Sequence, residues 1–196
     1  MKNIARVITA LTIISAASSC AYLENFSGKQ KPSEIIALER APKIDAKNFF
    51  VGDLEVFAIT QDVNGKIVGS FTGKMSGKWD ENKGVLQQTY ISEVGKKDNR
   101  TWLITTDSDD TFTAVGHDMT TPIKGRQLGN VMQMTYTLSI SQKEGGKQET
   151  TYEDNIYLVD ERSALGISLI KKGKVASGKS IISYKKIAKS DSGKNE

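Results

Sequence analysis

The chain has 196 residues and a formal net charge of +4, room for one domain. Its 38% hydrophobic and 26% charged residues fit a soluble globular class. One cysteine, Cys20, excludes an intramolecular disulfide, so the fold must rest on its core.

Residues 1–19 stand apart. Lys2 and Arg6 make a positive start, residues 7–15 are mostly apolar, and Ala16, Ala17, Ser18 and Ser19 follow. That is the layout of a secretory signal, too short to span a bilayer. Its removal takes two basic and no acidic residues, leaving 25 basic and 23 acidic, or +2. Such a balance argues against a nucleic-acid partner. Ala17-Ser18-Ser19-Cys20 resembles a bacterial lipobox, with Ala17 where Leu is usual. The resemblance implies acylation of Cys20, whose buried acyl chains would hold the protein on a membrane. An ordinary cleaved signal is the other reading. Ala21 follows the cysteine and no Asp stands there, so the outer membrane, on the periplasmic side, is the expected location.

Residues 20–48 read as a lipidated N-terminus and linker, with Pro32 and Pro42 and little periodicity. Ser33 is a candidate cap for a short helix over residues 34–39. The barrel domain is expected over residues 49–187 and a polar, disordered tail over 188–196.

Residues 49–79 form the clearest hairpin. Asn64-Gly65 predicts a type I′ turn, with Val63 opposite Lys66. Leu54, Val56, Ala58 and Thr60 then face Met75, Gly73, Phe71 and Gly69, with Glu55 opposite Lys74 on the other side. Gly69, Gly73 and Gly77 share the apolar face, either leaving internal space or permitting tight coiling. Further strands are predicted over residues 85–94, 100–106 and 111–118. Residues 119–129, with Pro122, Gly125 and Gly129, read as a longer connection. Residues 130–142 alternate most cleanly, with Met132, Met134, Tyr136 and Leu138 on one face. Strands over 147–159, 164–171 and 179–187 complete the set.

About nine strands in meander order would leave two open edges unless the sheet closed. The fold class expected is therefore all-β, an antiparallel meander closed into a lipocalin-like (calycin-like) β-barrel of about eight to ten strands. A barrel of that size is filled by side chains or holds one small ligand.

Alternation places Arg100 with Trp102 and Ile104, Asp154 with Tyr152 and Ile156, and Asn130 with Met132. If those faces are internal, their charges need partners. Asp154 and Asp118 are the carboxylates available to Arg100, and Asp154 is preferred because its strand is otherwise apolar on that side. The candidate ligand-binding residues are Phe71, Arg100, Trp102, Asn130, Tyr136 and Asp154. His117 is the sole histidine and lacks neighbours at metal-ligand spacing. Asp107-Ser108-Asp109 resembles half a calcium loop and reads as a turn. No catalytic constellation, phosphate loop, metal site or cofactor is expected, and the chain is not expected to be an enzyme. The lysines at 171, 172, 174, 179, 185 and 186 admit two readings, a solvated strand face or a surface for anionic head groups.

Several pieces line up in order and spacing with a known family. They are Phe50-Val-Gly-Asp-Leu54, Gln61-Asp62 before Gly65-Lys66, Phe71, Gly77-Lys-Trp79, Gly84-Val-Leu86, Arg100-Thr-Trp102, Gly129-Asn130 leading to Tyr136, Asp154, Tyr157-Leu158 and Asp160. Over residues 49–186 the chain resembles the bacterial lipoprotein family of domain of unknown function 3833. It departs at Gln88, Asn155 and Leu165-Gly166. The resemblance implies an envelope location and a barrel, and no established activity. Together these readings point to a membrane-anchored periplasmic lipoprotein binding a small or lipidic molecule in its barrel. The alternative is a non-catalytic envelope interaction protein with a solid barrel.

Overall fold

Short turns between alternating segments leave each strand no neighbour but the next, and the meander closes on itself. The computed structural model describes residues 42–108, 110–141 and 145–188. The expected signal, Cys20, the helix expected over 34–39 and most of the expected tail lie outside the described residues. A short helix, α1 (Ala46–Phe50), precedes ten strands: β1 (Gly52–Asp62), β2 (Ile67–Asp80), β3 (Lys83–Ser92), β4 (Lys97–Ser108) and β5 (Thr111–Gly116). Then come β6 (Ile123–Leu128), β7 (Val131–Ser141), β8 (Lys147–Asp160), β9 (Ser163–Lys172) and β10 (Val175–Lys186). Each pairs antiparallel with the next, and β10 returns to pair with β1, closing the barrel.

The first hairpin has the expected register: Glu55 lies opposite Lys74, and Ala58 opposite Phe71. Leu54, Val56 and Ala58 point inward and are buried, and Glu55 is exposed. The turn itself differs from expectation. Asp62 bonds to Lys66, and Gly65 N–H reaches Asp62 C=O at 3.1 Å. The loop is therefore three residues long, with Gly65 at φ 82°, a type I turn ending in a left-handed glycine. Asp62 Oδ1 causes this, since it accepts from both Asn64 N–H at 2.9 Å and Lys66 N–H at 3.0 Å. An irregularity between Thr60 and Gln61 absorbs the extra residue, so the register below is unchanged.

The segment read as a connection over 119–129 contains β6. Its Ile123, Gly125 and Gln127 are buried while Lys124 and Arg126 are exposed. Only one inward position is a large apolar residue, which hides the alternation. Gly125 is required there: a Cβ would lie 2.0 Å from the Phe112 ring.

The linker expected over residues 20–48 gives way to folded chain before its end. Ile44, Ala46, Phe49 and Phe50 are buried, so α1 plugs one end of the barrel. Asp45 caps it, accepting from Asn48 N–H at 2.6 Å. Ile44 N–H donates to Gly129 C=O at 2.8 Å and Ala46 N–H to Gln127 Oε1 at 2.5 Å. Lys186 Nζ donates to Asn48 C=O at 2.6 Å. The strand glycines serve this packing. A Cβ on Gly77 would stand 1.9 Å from the Phe50 carbonyl oxygen, and one on Gly73 would stand 2.8 Å from the Tyr90 ring. Gly69 meets nothing within 4 Å.

Candidate functional site

The barrel is hollow. A cavity of about 380 Å³ runs up its axis from Ala46 and Phe50 of α1 to Ser92, Lys96 and Asp98 near the β3–β4 turn. That size lies within the range of small-ligand sites. Alternation along the strands sorts its wall into layers. The floor above α1 is apolar, formed by Met75, Leu86, Ile104, Phe112, Met132 and Ile156. Above it, side chains of β3, β4, β7, β8 and β9 form a polar layer.

In one half of that layer, Gln88 Oε1 accepts from the Trp102 indole N–H at 2.7 Å and from the Tyr90 hydroxyl at 2.5 Å. In the other, the Asp154 carboxylate accepts from the Tyr136 hydroxyl at 2.9 Å and from Ser168 Oγ. Arg100 stacks over Trp102, 5.4 Å from the ring centroid. Trp102 meets Tyr136 edge-on at 5.5 Å, and Tyr136 stacks on Tyr152 at 5.3 Å. Five of the six candidate residues therefore line one cavity: Phe71, Arg100, Trp102, Tyr136 and Asp154.

Asn130 does not join them. It sits at the closed end, where its Nδ2 donates to Leu158 C=O at 3.2 Å and its own C=O accepts from Leu158 N–H at 2.8 Å. The preferred partner of Arg100 also changes. Its Nε and Nη2 donate to Asp118 Oδ2 at 3.1 and 2.7 Å, and Asp154 is held by hydroxyls instead. The turn after β5 explains this. The β4–β5 ladder ends with Trp102 opposite Gly116, the chain turns as Met119 N–H donates to Gly116 C=O at 3.3 Å, and Ser139 N–H of β7 donates to Asp118 C=O at 3.0 Å. From that turn the Asp118 carboxylate reaches Arg100. Tyr90, Tyr152 and Ser168, which complete the polar layer, carried no sequence signal beyond their parity.

Burial pushes the Tyr90, Tyr136 and Tyr184 hydroxyls upward, so these side chains stay neutral, and Tyr90 and Tyr136 serve as hydrogen-bond donors. For Arg100, burial pulls the guanidinium down, but Asp118 together with the Tyr136 and Tyr90 hydroxyls outweighs it and the net shift is upward. Burial pushes the Asp154 carboxyl up to about 6, against the Ser168 and Tyr136 hydroxyls and Arg100, which pull it down. Its folded value thus exceeds the ordinary 3.8. The stability contributed by the protonated carboxyl is complete below about pH 4 and is lost as pH rises through about 6. We expect this group to lower stability by about 2 kcal/mol between those limits. Urea unfolding across the interval should show a flatter profile for Asp154→Asn than for the natural chain. Equal slopes would place the titration on another group.

Among the described residues no cluster of three His, Cys, Asp or Glu side chains is placed to hold a metal ion. His117 is exposed in the β5–β6 turn. The arrangement can enclose an apolar body and offer hydrogen bonds to a polar group above it.

No curated protein matches this sequence. Several solved structures share the fold. One is the S-type phycobiliprotein lyase of Guillardia theta, 8% identical, with a TM-score of 0.52 over 74% of this chain and 94% of the lyase. Another is a protein with unknown function of the DUF3598 family from Nostoc punctiforme, 8% identical, with a TM-score of 0.53. That match covers 76% of this chain and about half (51%) of the Nostoc protein. At such identity they establish the lipocalin-like barrel and nothing finer. The family described as "Protein of unknown function (DUF3833)" matches residues 24–186, and the chain belongs to that family.

Proposed function

We propose that this protein is a lipid-anchored envelope lipoprotein, facing the periplasm from the outer membrane, whose barrel binds a small or lipidic molecule without transforming it. The observation that carries the reading is the cavity, with an apolar floor beneath a hydrogen-bonded polar layer. Such a wall suits an amphipathic ligand, its apolar body below and its polar group toward Arg100 and Asp154. The cavity disfavours the alternative of an interaction protein with a solid barrel. A lyase with the same fold is compatible with a small-molecule ligand. The apolar segment before Cys20 supports the anchor.

Native mass spectrometry of the full chain, extracted from its own membrane in mild detergent, tests the ligand. An added mass retained through extraction is expected, and a chain carrying nothing but its acyl groups would count against binding. Cys20→Ser tests the anchor. The variant should leave the membrane fraction, because the acyl chains would supply most of the membrane affinity. A variant still membrane-bound after a high-salt wash would sink the lipobox reading.

A further inference from the structure

The two ends of the barrel present different turns to solvent. At the closed end the turn tips are polar, Glu81-Asn82 between β2 and β3, Asp110 between β4 and β5, and Glu161-Arg162 between β8 and β9, with the exposed Val159 near the end of β8 beside the last of them. At the mouth they carry aliphatic side chains. Val63 is 66% exposed, Val94 83% and Val175 71%, on three separate turns, with Ile67 and Val68 exposed beside Val63.

Lysines surround these side chains. Lys66 follows Val63, Lys96 and Lys97 follow Val94, and Lys172, Lys174 and Lys179 flank Val175, all exposed. None of these six forms an ion pair among the described residues. Among the described residues the rim's acids are fewer and partly engaged, Asp118 being paired with Arg100. Asp62 is held by backbone N–H groups of its turn, and Glu93 accepts from Ser70. Asp98 and Glu149 remain on the same side.

We propose that the mouth of the barrel docks on an anionic phospholipid surface. Exposed valines at turn tips suit the boundary between head groups and acyl chains, and lysines around them suit the phosphates, their stems lying along apolar surface. A second copy of this chain is a poorer occupant, because two lysine-rich rims repel. Docking would set the cavity opening against the bilayer, so that a lipidic ligand exchanges without crossing water. The inference goes beyond the ligand-binding reading and does not rest on it, since vesicles alone measure the docking.

The test uses the full chain carrying Val94→Trp, Val175→Trp or, at the closed end, Val159→Trp, the last position being 65% exposed. Each is mixed with phosphatidylglycerol vesicles whose acyl chains are brominated, with the unsubstituted chain as the background for Trp79 and Trp102. Quenching is expected at positions 94 and 175 and not at 159. It should fall with high salt and with pure phosphatidylcholine, and Lys172→Glu with Lys174→Glu should weaken it about tenfold or more. A membrane-held chain with no quenching at the mouth, or with equal quenching at 159, overturns the proposal. So does a dimer abolished by Val94→Asp in the absence of lipid quenching, which would give the rim to a second copy.

Discussion

Arg100→Met is expected to lower stability by about 3 kcal/mol. The side chains of Arg100 and Asp118 are only 19% and 22% exposed, and Asp118 has no other side-chain partner among those described. Its Oδ1 is already buried without a hydrogen bond. Removing the guanidinium strands a carboxylate that water reaches poorly. It also takes away a charge that holds the Asp154 carboxyl down. Arg100→Met combined with Asp118→Leu should recover most of the loss, because replacing both members of a pair is far less costly than replacing one. Urea unfolding with unchanged m-values measures both variants. A single variant within about 0.5 kcal/mol of the natural chain would mean that the pair lies in water at a wet mouth. In that case, loss of the extracted ligand from the same variant would identify Arg100 as a head-group anchor.

Gly77→Ala should cost a comparable amount, about 3 kcal/mol, at the opposite end of the barrel. The added methyl would meet the carbonyl oxygen of Phe50 at 1.9 Å and its carbon at 2.9 Å. Backbone atoms cannot rotate aside as a side-chain tip can, so α1 must move as a unit. Its displacement would expose Ile44, Phe49 and Phe50 and open the cavity floor. Hydrogen exchange should then speed up over residues 44–50 while β7 and β8 stay protected. Uniform loss of protection, or none, would show that α1 is not a separable plug. Gly69→Ala, where a Cβ meets nothing within 4 Å, is the matched control.

Much of the barrel was legible because β1, β2 and β7 alternate large apolar with polar side chains. β6 was not, since its inward positions are Ile123, Gly125 and Gln127, and a glycine seating a neighbour's ring carries no apolar signal of its own. Nor was α1, whose five residues are too few to show a helical period. Parity alone found Phe71, Arg100, Trp102, Tyr136 and Asp154. It failed for Asn130 because the chain turns at Gly129, φ 56°, so the alternation stops one residue short. It also says nothing of which inward groups meet: Asp118 reaches Arg100 from the turn after β5, beyond the last pair of the β4–β5 ladder.

The pairing of β1 with β10 bears on how the molecule comes into being. Thr60 and Ser180, joined by a 2.9 Å hydrogen bond across that seam, are 120 residues apart. Until the last strand is available, β1 and β9 remain open edges and the inner face of every earlier strand stays unsealed. Hairpins can form one by one, but the seam carries a loop-closure cost that local pairing does not. A polypeptide emerging N-terminus first during synthesis would therefore hold an unfinished sheet until its C-terminal segment appeared. Chains ending before Ile181 should be substrates for proteases and chaperones instead of shortened barrels.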